Sequence, residues 1–212
     1  MALLILMLLS TPGMADQTFP ATAIAEWEHH RFTGRTDYEL VTEGGVEAVR
    51  ASCQGGAASG LYLEQPINLD ETPIIEWRWR VESVYSDIDE RTREGDDFPA
   101  RIYAVHEPTW LRWKTRALNY VWASQEPKGS SWTNPFQSRA RMIAVDSGPP
   151  RENGQWHTVT RNLRADFIEQ FGKAPERITA LAIMTDCDNH GGQTRAWYGR
   201  IHLRSARNRL AE

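Results

Sequence analysis

The sequence predicts an all-β protein, an antiparallel β-sandwich or jelly roll with one short helix near its C-terminal third. Three observations carry this reading. Nine short runs show the period-two alternation or the β-branched and aromatic content of strands, turn formers separate them, and a single stretch has helical spacing. Runs of this number and spacing pack as two face-to-face sheets.

The first two strands are expected at residues 47–52 and 60–64, on either side of the turn QGGAAS. The third, 74–81, is the clearest. In PIIEWRWRV, Ile75, Trp77, Trp79 and Val81 fall on one face, and Glu76, Arg78, Arg80 and Glu82 on the other. A fourth strand, 100–105, follows the acidic stretch EGDDFP and carries Arg101 and Tyr103 on one face. Strands at 117–123, 141–146 and 156–162 precede the helix, Leu163–Phe171, in which Phe167, Ile168 and Phe171 share a face and which Gly172 and Pro175 stop. Strands at 178–185 and 197–203 complete the order.

With 24 basic and 28 acidic residues and no basic block, the chain has no nucleic-acid footprint. Residues 1–15, MALLILMLLSTPGMA, hold no charged side chain, and their apolar run, 2–9, is too short to span a bilayer. They read as a signal peptide cleaved after Ala15, although a basic start is missing. Residues 16–212 are then expected as one domain, periplasmic or secreted, with no membrane-spanning segment after cleavage. An oxidising compartment allows Cys53 and Cys187 to pair, and two separate buried thiols are the alternative.

Arginine, not lysine, dominates the polar strand faces, together with tyrosine. Arginine fixes planar hydrogen-bonding groups and aromatic rings stack on sugars, so Arg78, Arg80, Arg101, Tyr103 and Tyr198 are candidate ligand residues. Asn119, Trp122, Asp96 and Asp97 complete that candidate face. Trp77, Trp79, Trp156 and Trp197 lie in strands and read as core, whereas Trp110, Trp113 and Trp132 are expected in loops, available to stack on a sugar ring.

The loops GDD and DCDN gather oxygen ligands. Asp186, Asp188 and Asn189 form a candidate calcium site, with plain turn chemistry as the alternative. Asp96 and Asp97 cannot both face solvent if the chain is extended at Phe98. One of them needs an inward partner, either Arg78, Arg80 or Arg101, or a cation shared with Asp186 and Asp188. No zinc-ligand spacing, nucleophile elbow, phosphate loop or dinucleotide fingerprint is present.

The ordered set WRWRV, GDDFPARIYAV, ALNYVWA, DFIEQFG, IMTDCDN and YGRIHL resembles the bacterial family DUF3047, over residues 27–203. The resemblance implies an exported, single-domain protein and assigns no activity. The residues themselves favour a glycan or polysaccharide ligand. The alternatives are a polysaccharide lyase using Arg and Asn against a uronate carboxylate with Tyr103 or His106 as base, a hydrolase pairing Asp96 or Asp97 with Glu76, and an envelope protein-docking domain.

Overall fold

A computed structural model describes residues 16–206 except Thr109 and residues 151–153. The proposed signal peptide lies outside the described residues. The chain runs β1 (Gln17–Phe19), α1 (Ala21–Ala25), β2 (Glu28–Thr33), β3 (Asp37–Glu43), β4 (Val46–Gln54), β5 (Ala58–Asn68), β6 (Ile74–Val81), β7 (Ala100–His106), β8 (Arg116–Ala123), β9 (Ser131–Thr133), β10 (Ala140–Ser147), β11 (His157–Asn162), α2 (Leu163–Phe171), β12 (Arg177–Asp186) and β13 (Gln193–Arg204). Strands 74–81 and the helix fall where the sequence placed them. The N-terminal strands, α1 and β9 were not expected, because they are short or lie at edges with little apolar alternation.

Sheet A has the order β11-β6-β13-β4-β3, with β1 added along the end of β13, and sheet B the order β2-β5-β12-β7-β8-β10-β9. Pairing is antiparallel with one exception. β10 runs parallel to β8, because β9 takes the sheet edge and β10 lies between the two. The expected β-sandwich with a short helix in its C-terminal third is thus present, and the parallel β8–β10 pair and the five-residue helix α1 add to it.

The alternation that predicted β6 also builds the core. Ile75, Trp77, Trp79 and Val81 point inward and meet Ile102, Tyr120, Trp122, Leu181, Ile183 and Tyr198 in one cluster shared by both sheets. Trp77 and Trp79 are packed edge to face, with centroids 5.4 Å apart. Helix α2 is capped by the Asn162 side chain, which accepts from the Ala165 amide, and stops at Gly172 in a left-handed conformation.

Cys53 and Cys187 form a disulfide across 134 residues, joining the end of β4 in sheet A to the residue after β12 in sheet B. The open alternative of two thiols is thereby decided. Among the described residues no helix is long and apolar enough to cross a membrane.

Candidate functional site

The two sheets present two outer faces, and the candidate residues divide between them. Strand β6 turns Arg78 and Arg80 to the outer face of sheet A, since their neighbours Trp77, Trp79 and Val81 fill the core. There the Arg78 guanidinium lies 5.5 Å from the Trp156 ring and that of Arg80 4.0 Å from the Trp197 ring. Ion pairs Arg80–Glu43, Arg195–Glu82 and Arg200–Glu76 run beside them. Trp197 is buried as expected, although beneath Arg80 on this face and not between the sheets, whereas Trp156 is only half-buried, beneath Arg78.

Arg101 and Tyr103 occupy the outer face of sheet B, because Ala100, Ile102 and Ala104 face the core. The structure therefore separates Arg78 and Arg80 from Arg101 and Tyr103. Trp122 and Tyr198 leave both faces, since each is buried between the sheets. Trp122 donates its indole N–H to the Gly148 carbonyl at 2.9 Å, and the Tyr198 hydroxyl lies 2.9 Å from Thr185 Oγ1. Strand alternation does not distinguish a core tyrosine from a surface one, and only the opposing sheet decides.

Arg101 is 2% exposed and joins several strands and loops. Its Nε donates to Asp186 Oδ1 at 2.8 Å and its Nη1 to the Tyr103 hydroxyl at 3.3 Å, while Nη2 donates to Asp186 Oδ2 and to the Asp96 carbonyl. The Asp96 carboxylate lies 3.5 Å from Nη1 and accepts from Asn134 Nδ2 at 3.0 Å. Both acids are buried where one was expected to turn inward, and Arg101, one of the expected partners, serves Asp96. Asp97, also fully buried, accepts from the amides of Asp188, Asn189 and His190 at 3.1, 3.1 and 2.7 Å. Gly95 makes the approach possible, because a Cβ there would meet the Asp89 carbonyl oxygen at 2.1 Å.

Asp97, Asp186 and Asp188 bring carboxylate oxygens within 4.8 Å of one another, the arrangement anticipated for a cation. Two of the three already have strong protein partners: Arg101 supplies a resident positive charge to Asp186, and three backbone amides serve Asp97. Asn189 contributes its amide groups as donors to Asp97, with its backbone N at 3.1 Å and Nδ2 at 3.3 Å. Burial pushes the Asp96 carboxyl up despite the opposing pull of Arg101. Burial also raises the Tyr103 hydroxyl to about 12, against the pull of Arg101.

Register places a row of side chains across the outer face of sheet B: Glu28, Tyr62, Ala182, Tyr103, Asn119 and Met142 stand opposite one another in successive strands. Tyr62 and Tyr103 are half-buried, and the small Ala182 lies between them. Two strand spacings put them roughly 10 Å apart. Asn119 is buried, donates to Met142 Sδ at 3.3 Å, and leaves its Oδ1 without a partner. His30 and Phe32 extend the aromatic surface beyond Tyr62, with centroids 6.4 Å apart for His30–Tyr62 and 4.8 Å for His30–Phe32.

A family profile matches residues 25–202, from the end of α1 to near the end of β13. The chain belongs to the family DUF3047, described as a protein of unknown function. No curated protein matches the sequence. Among solved structures, the fold of this DUF3047 protein is similar to the family 30 carbohydrate-binding module of a cellulosomal cellulase of Clostridium thermocellum. That match has a TM-score of 0.51 and 12% identity over 92% of this chain and 100% of the other. The family 11 carbohydrate-binding module of another cellulosomal cellulase of Clostridium thermocellum gives a TM-score of 0.48 and 10% identity over 91% and 95%. At such identities the likeness concerns the fold alone.

In this DUF3047 chain Tyr62, Glu28 and Glu64 carry no signal of a site in the sequence itself. The alternation in GLYLE sets Tyr62 and Glu64 on one face, but their partnership with Tyr103 depends on β12 lying between β5 and β7. The loop tryptophans also part company. Trp132 is buried against Phe98 and donates to the Glu90 carbonyl at 3.1 Å, whereas Trp110 and Trp113 stand exposed in the β7–β8 connection.

Proposed function

We propose that this DUF3047 protein is an exported glycan-binding protein and that its ligand lies on the outer face of sheet B, over the slot between Tyr62 and Tyr103. One observation carries the reading: two half-buried tyrosines share a level on either side of a small residue. A sugar ring over Ala182 meets an aromatic side chain on each flank, and Glu28 and Glu64 offer hydroxyl acceptors at the rim. Likeness to a carbohydrate-binding module supports the fold on which such a face is built. The disulfide is compatible with export.

The lyase reading has less support. Arg101 is committed to Asp186 and Asp96, so it is not free to neutralise a uronate, and a Tyr103 hydroxyl near 12 stays protonated at neutral pH. His106 is half-buried beside the Arg177 carbonyl, and burial lowers its proton affinity. The hydrolase pair is divided, with Glu76 on sheet A and Asp96 and Asp97 under sheet B.

Electrophoresis through gels containing a panel of polysaccharides tests the proposal. One of them is expected to retard the wild-type chain, Tyr62→Ala and Tyr103→Ala should lose that retardation, and Arg78→Ala and Arg80→Ala should keep it. The opposite pattern would move the site to sheet A, and release of sugar fragments would make the protein an enzyme.

A further inference from the structure

The segment PTWLRWKTR, which links β7 to β8, is left unused by the tyrosine slot. We infer that this hairpin tip is a contact for an anionic phospholipid surface, with Trp110, Leu111 and Trp113 entering the interface and Lys114 and Arg139 meeting the headgroups. Among the described residues, seven large apolar side chains stand exposed, and three of them come from the four residues 110–113. Trp110 is 92% and Trp113 65% exposed, values that a monomer in water gains nothing from.

The tip is held in shape. Leu111 N donates to the Pro108 carbonyl at 3.1 Å and Lys114 N to the Leu111 carbonyl at 2.7 Å, so Arg112–Lys114 form a single 3-10 turn. Arg139, from the β9–β10 connection, reaches within 5.8 Å of the Trp113 ring, and Lys114 Nζ lies 4.9 Å from it. The Ala117 amide donates to the Arg139 carbonyl at 3.1 Å, which fixes the two connections side by side. Arg116 is turned away, over the Phe167 and Phe171 rings of α2.

Composition selects the partner. In a chain of net charge −4, the β7–β8 connection, residues 107–115, sets Arg112 and Lys114 against the single acid Glu107, and Arg139 adds a further cation beside Trp113. Tryptophan with lysine and arginine is the combination that sits at a bilayer interface, the rings at headgroup level and the cations on anionic lipid. A sugar platform would also need directional polar groups beside the rings, and residues 108–116 contain no Asp, Glu, Asn or Gln. Leu111 adds nothing to sugar stacking and fits an acyl boundary.

Cosedimentation of the full chain with vesicles of equal parts phosphatidylglycerol and phosphatidylcholine tests this. Wild type should pellet with these vesicles and much less with phosphatidylcholine alone. Trp110→Ser/Trp113→Ser should abolish pelleting, and Lys114→Gln/Arg139→Gln should lower the partition coefficient on the order of tenfold. The four side chains are exposed, so unchanged thermal melting certifies that each variant is folded. Pelleting that is equal on both lipids, or unaffected by the tryptophan changes, overturns the inference. So does a tryptophan variant that loses polysaccharide retardation or self-association while the wild type never binds vesicles.

Discussion

The outer faces of the two sheets are both rich in arginine, and they use it in opposite ways. On sheet A, Arg195 and Arg200 lie beside glutamates in solvent, where each contact is screened by water, while Arg78 and Arg80 lie half-buried over indole rings. On sheet B, Arg101 is withdrawn from solvent and shared among Asp186, Asp96 and Tyr103. The same residue type in the same strand pattern is a dispensable surface charge in one case and a structural keystone in the other. Burial and the number of fixed acceptors separate them, and neither is written in a strand's own alternation.

The largest expected effect breaks the comparison at its centre. Arg101→Met leaves Asp186 buried without its cation and should cost about 3 to 5 kcal/mol, whereas Arg195→Ala should cost less than about 1 kcal/mol. Thermal denaturation of the two variants reads the contrast directly, and similar losses would show that Arg101 is no keystone. Next is the disulfide, which holds Cys187 between Asp186 and Asp188. The double variant Cys53→Ser/Cys187→Ser should lose about 2 to 5 kcal/mol in denaturant unfolding. A loss confined to the reduced wild type, with the serine variant unaffected, would argue against a cross-link that stabilises the fold.

The smallest effect sharpens the comparison through pH. Burial, and then the neighbouring Asp97, push the Asp188 carboxyl up. A raised folded value means that the stability linked to this group is full below about pH 4, the unfolded range, and is lost as pH rises through the folded value. Asp188→Asn should therefore melt higher than wild type at pH 7, with the gain closing as pH falls toward 4. Lower melting of the variant at pH 7 in calcium, reversed by chelator, would instead show that the triad holds the ion.

The sandwich was legible because β6, β7, β8, β10, β12 and β13 carry strong alternation against a shared core. Trp77 and Trp79 were readable as inward from spacing alone. A charged partner for one of the acidic pair was also within reach, but not that Arg101 would be chosen over Arg78 and Arg80, nor that both Asp96 and Asp97 would be buried. What stayed hidden depends on sheet order. Whether Arg78 joins Arg101, whether Tyr198 is core, and whether Tyr62 stands near Tyr103 are all set by which strands neighbour which, and β13 and β12 reach their places from far along the chain.

Strand order has a consequence for when this protein becomes a folded object. The last strand among the described residues, β13, lies in the middle of sheet A, between β4 and β6, and also carries β1 along its end. Until residues 193–204 arrive, sheet A exists only as two unconnected pairs, β3 with β4 and β6 with β11, and the first strand has nothing to bind. Assembly of sheet A therefore waits for residues 193–204, so the chain stays pliable through the making or passage of everything before them and locks when β13 arrives.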